Sequence, residues 1–144
     1  MTLDYHFTPR LNLGVEYNIA ADELNPRGNY QLFNEGKYNP TVSLGTSSDR
    51  IGSPKGTQAY FVTFGKTIPK TFVAPYFSVN YSSWDKELNF PFGANFQLHP
   101  RFGIMPMYDG QRSHLLANYS ANGWTLTAIW AWLERVGVAF SVGF

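Results

Sequence analysis

From Val136 to Phe144 every even-numbered position carries a bulky apolar side chain, and every odd-numbered one carries Gly, Ala or Ser. Successive side chains of a strand point to opposite faces. The segment therefore reads as a strand with one face of Val and Phe and a second that is small and nearly featureless. A water-soluble sheet would turn the large face inward. A membrane barrel would turn it to lipid and leave the small face to the lumen.

The same alternation recurs along the chain. Thr2–Phe7 alternates and breaks at Thr8-Pro9-Arg10, a tight turn. Leu11, Leu13, Val15, Tyr17 and Ile19 then share a face opposite Asn12, Gly14, Glu16 and Asn18. Residues 20–28, with Asn25-Pro26-Arg27-Gly28, read as a loop, and 29–34 as a weaker strand. Glu35-Gly36-Lys37 reads as a hairpin turn into a strand over 38–46, and 47–57 as a second loop. Further strands centre on Val62, Phe77, Phe96, Met105, Ala117 and Ala128, with a polar loop at 82–88. Ala121-Asn122-Gly123 is a hairpin signal. The pattern predicts about ten to twelve strands in a meander, without a helix, in a single domain over 1–144. It equally suits the carboxy-terminal part of a larger barrel.

Composition narrows the class. The chain has 144 residues and no cysteine, so a disulfide framework and a thiolate metal site are both excluded. A net charge of +1 gives no electrostatic basis for nucleic acid. No apolar run is long enough for a transmembrane helix, but alternating strands carry a weaker hydropathy signal and stay open to the bilayer. The first residues lack the basic and apolar regions of a signal peptide. They read as the start of a mature or trimmed part, or of a chain that is not exported.

Charge placement separates the two β readings. Most Lys, Arg, Asp and Glu fall in turns, in loops or at strand ends, and the polar faces are rows of Gly, Ser, Thr, Asn and Gln. A solvated sheet face would carry more charge. The fold expected is thus an antiparallel up-and-down transmembrane β-barrel of the bacterial outer membrane, with lipid around it. Tyr17, Tyr60, Tyr81, Tyr108, Trp124 and Trp132 would form its aromatic girdles. The terminal alternation resembles the assembly signal of bacterial outer-membrane barrels, with Phe140, Val142 and Phe144 as its bulky positions, and implies the barrel-assembly machinery as a partner. Short and longer connections alternate, which places the carboxy terminus on the short-turn side and makes the strand number odd. Bacterial single-chain barrels have even numbers. Another protein chain, or a missing segment, is therefore expected to close the wall.

The stretch from Tyr30 to Gly45, containing Glu35-Gly36-Lys37-Tyr38-Asn39-Pro40, followed by a Gly- and Ser-containing loop and Tyr60–Lys66, resembles a segment of the YjbH-type outer-membrane barrels. It covers about a quarter of the chain. The resemblance implies a role in exopolysaccharide or capsule production and export.

Little points to chemistry. His6, His99 and His114 lie in separate strands without metal-ligand spacing, so neither a metal nor a cofactor is expected. Asp4, His6, Glu16 and His114 fall on polar faces and are read as lumenal, with Asp4 and Glu16 able to meet across a hairpin. Arg112-Ser113-His114 loosely resembles the His/Ser pair of lipid-modifying barrel hydrolases. However, the residue two beyond His114 on its face is Leu116, so no serine lies in reach of the imidazole. A non-enzymatic barrel acting as anchor, scaffold or export-associated component is expected. A lipid-modifying hydrolase and a soluble β-barrel with an apolar ligand inside remain the alternatives.

Overall fold

A computed structural model describes residues 2–18, 22–50 and 52–143. The described chain is all strand and turn: β1 (Thr2–Thr8), β2 (Leu11–Asn18), β3 (Glu23–Phe33), β4 (Thr41–Ser48), β5 (Gln58–Gly65) and β6 (Val73–Ser82) are followed by the two-residue β7 (Leu88–Asn89). Then come β8 (Phe92–His99), β9 (Phe102–Tyr108), β10 (Ser113–Ala121), β11 (Trp124–Ala131) and β12 (Arg135–Gly143). Eleven of these close into a barrel, while β7 is a short flap on β6.

Strands adjacent in sequence pair antiparallel, with β8 taking the place beside β6. An odd number of strands in an up-and-down winding leaves the first and last pointing the same way. They meet as a parallel seam of three residue pairs, Thr2 with Ser141, Leu3 with Val142 and Asp4 with Gly143. The sheet is therefore mixed rather than wholly antiparallel. Among the described residues, β1 and β12 make the closing seam.

Followed once around the wall, the register returns to β1 displaced by about 14 residues, which for this strand number tilts the strands by roughly 40°. An eight-residue strand such as β11 then climbs roughly 20 Å along the axis.

Residues of the two faces separate by size. Ala59 and Ala131 are the buried hydrophobic residues among those described, whereas Leu13, Val15, Tyr17, Leu44, Leu126, Trp130 and Phe140 are all exposed on the outer wall. Most other buried side chains among the described residues are polar, including Asn25, Ser78, Ser82 and His114. Val15, Leu126 and Phe140 thus do not crowd a dry centre, and Phe96 is half-buried on the same outer parity. Cross-strand hydroxyl and amide pairs line the inside instead: Thr2 to Ser141 (2.9 Å), Thr63 with Ser78 (2.6 Å), Ser120 with Thr125 (2.9 Å) and Thr127 to Asn118 (2.8 Å). The first two pairs and the last are part-buried, and each satisfies groups that burial would otherwise penalise.

Several boundaries differ from expectation. Most of the predicted loop over 20–28 is strand: Glu16 lies opposite Asn25, Gly14 opposite Arg27 and Val15 opposite Pro26. The strand expected from Tyr38 begins at Thr41, and the one expected at Phe90 begins at Phe92. Connections at the β1–β2 end are not uniformly short, since 34–40 and 66–72 are extended and clamped together. There Lys66 Nζ lies 3.4 Å from Glu35, which also accepts hydrogen bonds from the Thr67 amide and hydroxyl.

Candidate functional site

The lumen and its loop-side mouth hold the polar chemistry of this chain. Alternation in β1, β2 and β3 sends Asp4, His6, Asn12, Glu16, Asn25 and Arg27 to the inside. Asp4 is neutralised by Arg27, whose Nε lies 3.1 Å from its carboxylate. Glu16 accepts a hydrogen bond from Ser48 at 2.9 Å. The two carboxylates therefore each have another partner and do not act as a pair; across the hairpin Asp4 faces Gly14 and Glu16 faces Thr2.

His6 is exposed and, with Asp4, Asn12, Arg27, Asn29, Thr125 and Ser141, lines a cavity of about 400 Å³. A second cavity, of about 490 Å³, lies against Asn95, Gln97, Arg101, Asn118 and Ser120 and shares Thr125 with the first. Together they form a space lined by hydroxyl, amide and charged groups along with Phe61 and Met105, in the half of the barrel nearer the turns at 9–10, 100–101 and 122–123.

The opposite mouth is filled. His114, at the start of β10, is buried. Its Nδ1 accepts the Trp132 amide at 3.3 Å, which leaves the proton on Nε2, 2.7 Å from Asp109 Oδ2. Asp109 also caps its own turn, accepting from the Gln111 and Arg112 amides at 2.8 and 2.7 Å. Burial alone would raise the Asp109 carboxyl, but the Arg112 amide, the His114 ring and the Gln111 amide outweigh it and hold the group below the ordinary carboxylate range.

Beside this pair, Asp49 is buried and accepts the Ser82 hydroxyl at 2.6 Å. Arg50 bonds Asp85 at 2.6 Å while lying over the Trp84 ring, 4.6 Å from its centre. Arg50 Nη1 and Asp85 Oδ1 are each buried without a protein partner. Four connections thus fold together as a cap of paired charges and rings.

The cap takes in Trp132, which sequence alone assigned to a girdle. The chain leaves β11 at Ala131, and Trp132 has φ +56°, so its ring turns beneath Arg112 (4.5 Å) and near Arg135 (5.1 Å). Tyr17, Tyr60 and Tyr81 are exposed near the capped end, where Tyr108 also lies against Phe92 (5.4 Å). Trp124 is at the other end, between Tyr119 and Phe140. Phe140 and Val142 keep the outer parity of β12, with Val142 opposite Trp124, and Phe144 lies outside the described residues.

No serine bonds His114 among the described residues; both ring nitrogens are engaged by Asp109 and Trp132. His99 is exposed at the end of β8, where its Nδ1 accepts the Arg101 amide at 3.3 Å. No group of three or more potential metal ligands occurs among the described residues. Sequence reasoning missed Arg27, Asp49, Arg50, Ser82, Asp85 and Asp109. Arg27 is legible once β3 is extended two residues toward the amino terminus from Asn29, whereas the others meet only because loops distant in sequence converge. Comparison with known protein families, with curated proteins and with solved structures finds no match.

Proposed function

We propose that the chain is a non-enzymatic β-barrel of the bacterial outer membrane, serving as an anchor, scaffold or export-associated component. One observation supports this most: among the described residues, bulky apolar side chains cover the outer wall while most of the buried side chains are polar. A protein dissolved in water gains stability by the reverse arrangement. The strand tilt and the climb of roughly 20 Å approach the band of about 25 Å that lipid-facing barrel walls present.

The loop-side cap argues for a closed barrel rather than a pore, because paired charges and two indole rings occupy the mouth. Outer-membrane lipid and the barrel-assembly machinery are the partners this function requires, the latter through Phe140, Val142 and Phe144. A link to exopolysaccharide secretion rests on the segment from Tyr30 to Lys66 alone. That segment folds as strand, connection, strand, loop and strand, the order that the resemblance implies.

Fractionation tests the proposal. The protein is expected in the outer-membrane fraction, extracted only with detergent, and running as a compact band in gels until boiled. Recovery in the aqueous fraction without detergent would overturn it.

A further inference from the structure

Charge is divided unevenly between the two ends of the barrel. Five connections lie at the turn end, over 9–10, 34–40, 66–72, 100–101 and 122–123. Four of them carry an exposed cation: Arg10, Lys37, Lys70 and Arg101. Lys66 is a fifth cation there and is paired with Glu35, the one acid among the described residues of that end. None of the other four has a carboxylate partner among the described residues. Each connection at the capped end instead holds an acid: Asp22, Asp49, Asp85, Asp109 and Glu134. Five cations against one acid give the turn end a positive charge larger than the +1 of the whole chain.

Beside these cations the outer wall is apolar. Arg10 shares a surface hollow of about 540 Å³ with Leu32, Phe33 and Val42. Phe33 and Val42 lie opposite each other on β3 and β4. Lys37 lies over the exposed Tyr38 ring (5.1 Å). Lys70 and Arg101 are close in sequence to Phe72 and Phe102, both exposed, and the Phe72 ring is 6.3 Å from that of Phe96. A cation next to exposed apolar side chains matches a molecule that carries a phosphate above acyl chains. Cations spread one to a turn suit several small amphiphiles, whereas a long soluble polyanion is matched by cations gathered on one face. We propose that the turn-end rim binds anionic glycerophospholipid, with Arg10, Lys37, Lys70 and Arg101 on headgroup phosphates and the acyl chains against the apolar wall. The hollow at Arg10 is the best formed of these places, because a guanidinium forks onto two phosphate oxygens at once.

The inference rests on the membrane reading, and the experiment separates the two. The full chain is folded into phosphatidylcholine bilayers that hold a trace of spin-labelled phosphatidylglycerol or spin-labelled phosphatidylcholine. Electron paramagnetic resonance reads the fraction of label immobilised against the protein. A cation beside a headgroup favours the anionic lipid by about fivefold at its own site, so a preference of about twofold or more is expected when averaged around the wall. The preference should vanish at about 1 M salt, where exposed charges are screened, which tests the parent protein without any substitution. It should vanish also in the variant combining Arg10→Gln, Lys37→Gln, Lys70→Gln and Arg101→Gln, and survive Lys55→Gln with Lys86→Gln at the capped end. Equal immobilised fractions for the two lipids, a preference that persists in high salt and in the rim variant, or one lost with the capped-end pair would each overturn the proposal. Equal fractions together with retention on heparin, lost in the rim variant, would assign the rim to a soluble polyanion instead. Absence of immobilised label of either kind would sink the membrane reading and the proposal with it.

Discussion

Val62 sits midway along β5 on the outer parity, between Leu44 of β4 and Val79 of β6. If the wall faces acyl chains, Val62→Arg places a guanidinium near the bilayer midplane, about as far from either aromatic end as this short wall permits. Such a substitution costs about 2–4 kcal/mol in membrane barrels. Because 1.4 kcal/mol is a factor of ten, the folded-to-unfolded ratio should fall by between about 30 and 1,000-fold. Two neighbours limit relief: Leu44 and Val79 are apolar and supply no counter-charge. Urea titration of refolding into lipid vesicles, followed by tryptophan emission, measures the change against Lys70→Arg in the connection at 66–72 as control. A cost within about 0.5 kcal/mol, the ordinary range for a substitution on a hydrated surface, would refute the assignment of this face to lipid.

Three further outcomes follow from particular contacts. A Cβ at Gly14 meets the Leu3 carbonyl and the Asp4 side chain, whereas one at Gly137 meets nothing; urea midpoints should show Gly14→Ala costing about 1–3 kcal/mol and Gly137→Ala within about 0.5 kcal/mol. His114→Ala strips partners from Asp109 and from the Trp132 amide and should cost about 1–3 kcal/mol in the same assay, while leaving the lipid composition of the host membrane unchanged; an altered lipid profile would instead favour a hydrolase. Asp109, held below its unfolded value of about 3.9, stabilises the fold above that value, and the contribution is lost as pH falls through the lowered one. Asp109→Asn should therefore be weaker at pH 7 yet converge with the parent as the pH falls below the lowered carboxyl value, and urea-midpoint curves that stay parallel would contradict this.

What was readable in the chain followed from where polarity carries information. In β12, β11 and β2 each side chain reports its face, so alternation alone located them. In β3 the same reasoning went wrong because Asn25-Pro26-Arg27-Gly28 has the composition of a turn in water. Inside a barrel, Asn25 and Arg27 are ordinary lumenal residues and Pro26 lies opposite Val15 on the outer parity. The seam was half legible: the direction of the chain required an odd number of strands, but nothing local in Thr2–Asp4 or Ser141–Gly143 says that they pair. The cap was the least accessible part. Asp49 with Ser82, Arg50 with Asp85, and Asp109 and Trp132 with His114 are joined by loop convergence, to which alternation is blind.

The most direct test compares tryptophans on the wall and in the cap. Trp130 is exposed on the outer face of β11, whereas Trp84 and Trp132 lie among the arginines of the mouth. In variants keeping one tryptophan each, with the other three replaced by Phe, the protein is folded into vesicles of lipid brominated along the acyl chain. Trp130 should be strongly quenched by the bromines and shielded from aqueous iodide, and Trp84 should be insensitive to the bromines. Quenching of Trp130 by iodide, with no response to brominated lipid, would mean that water rather than hydrocarbon bathes the bulky face.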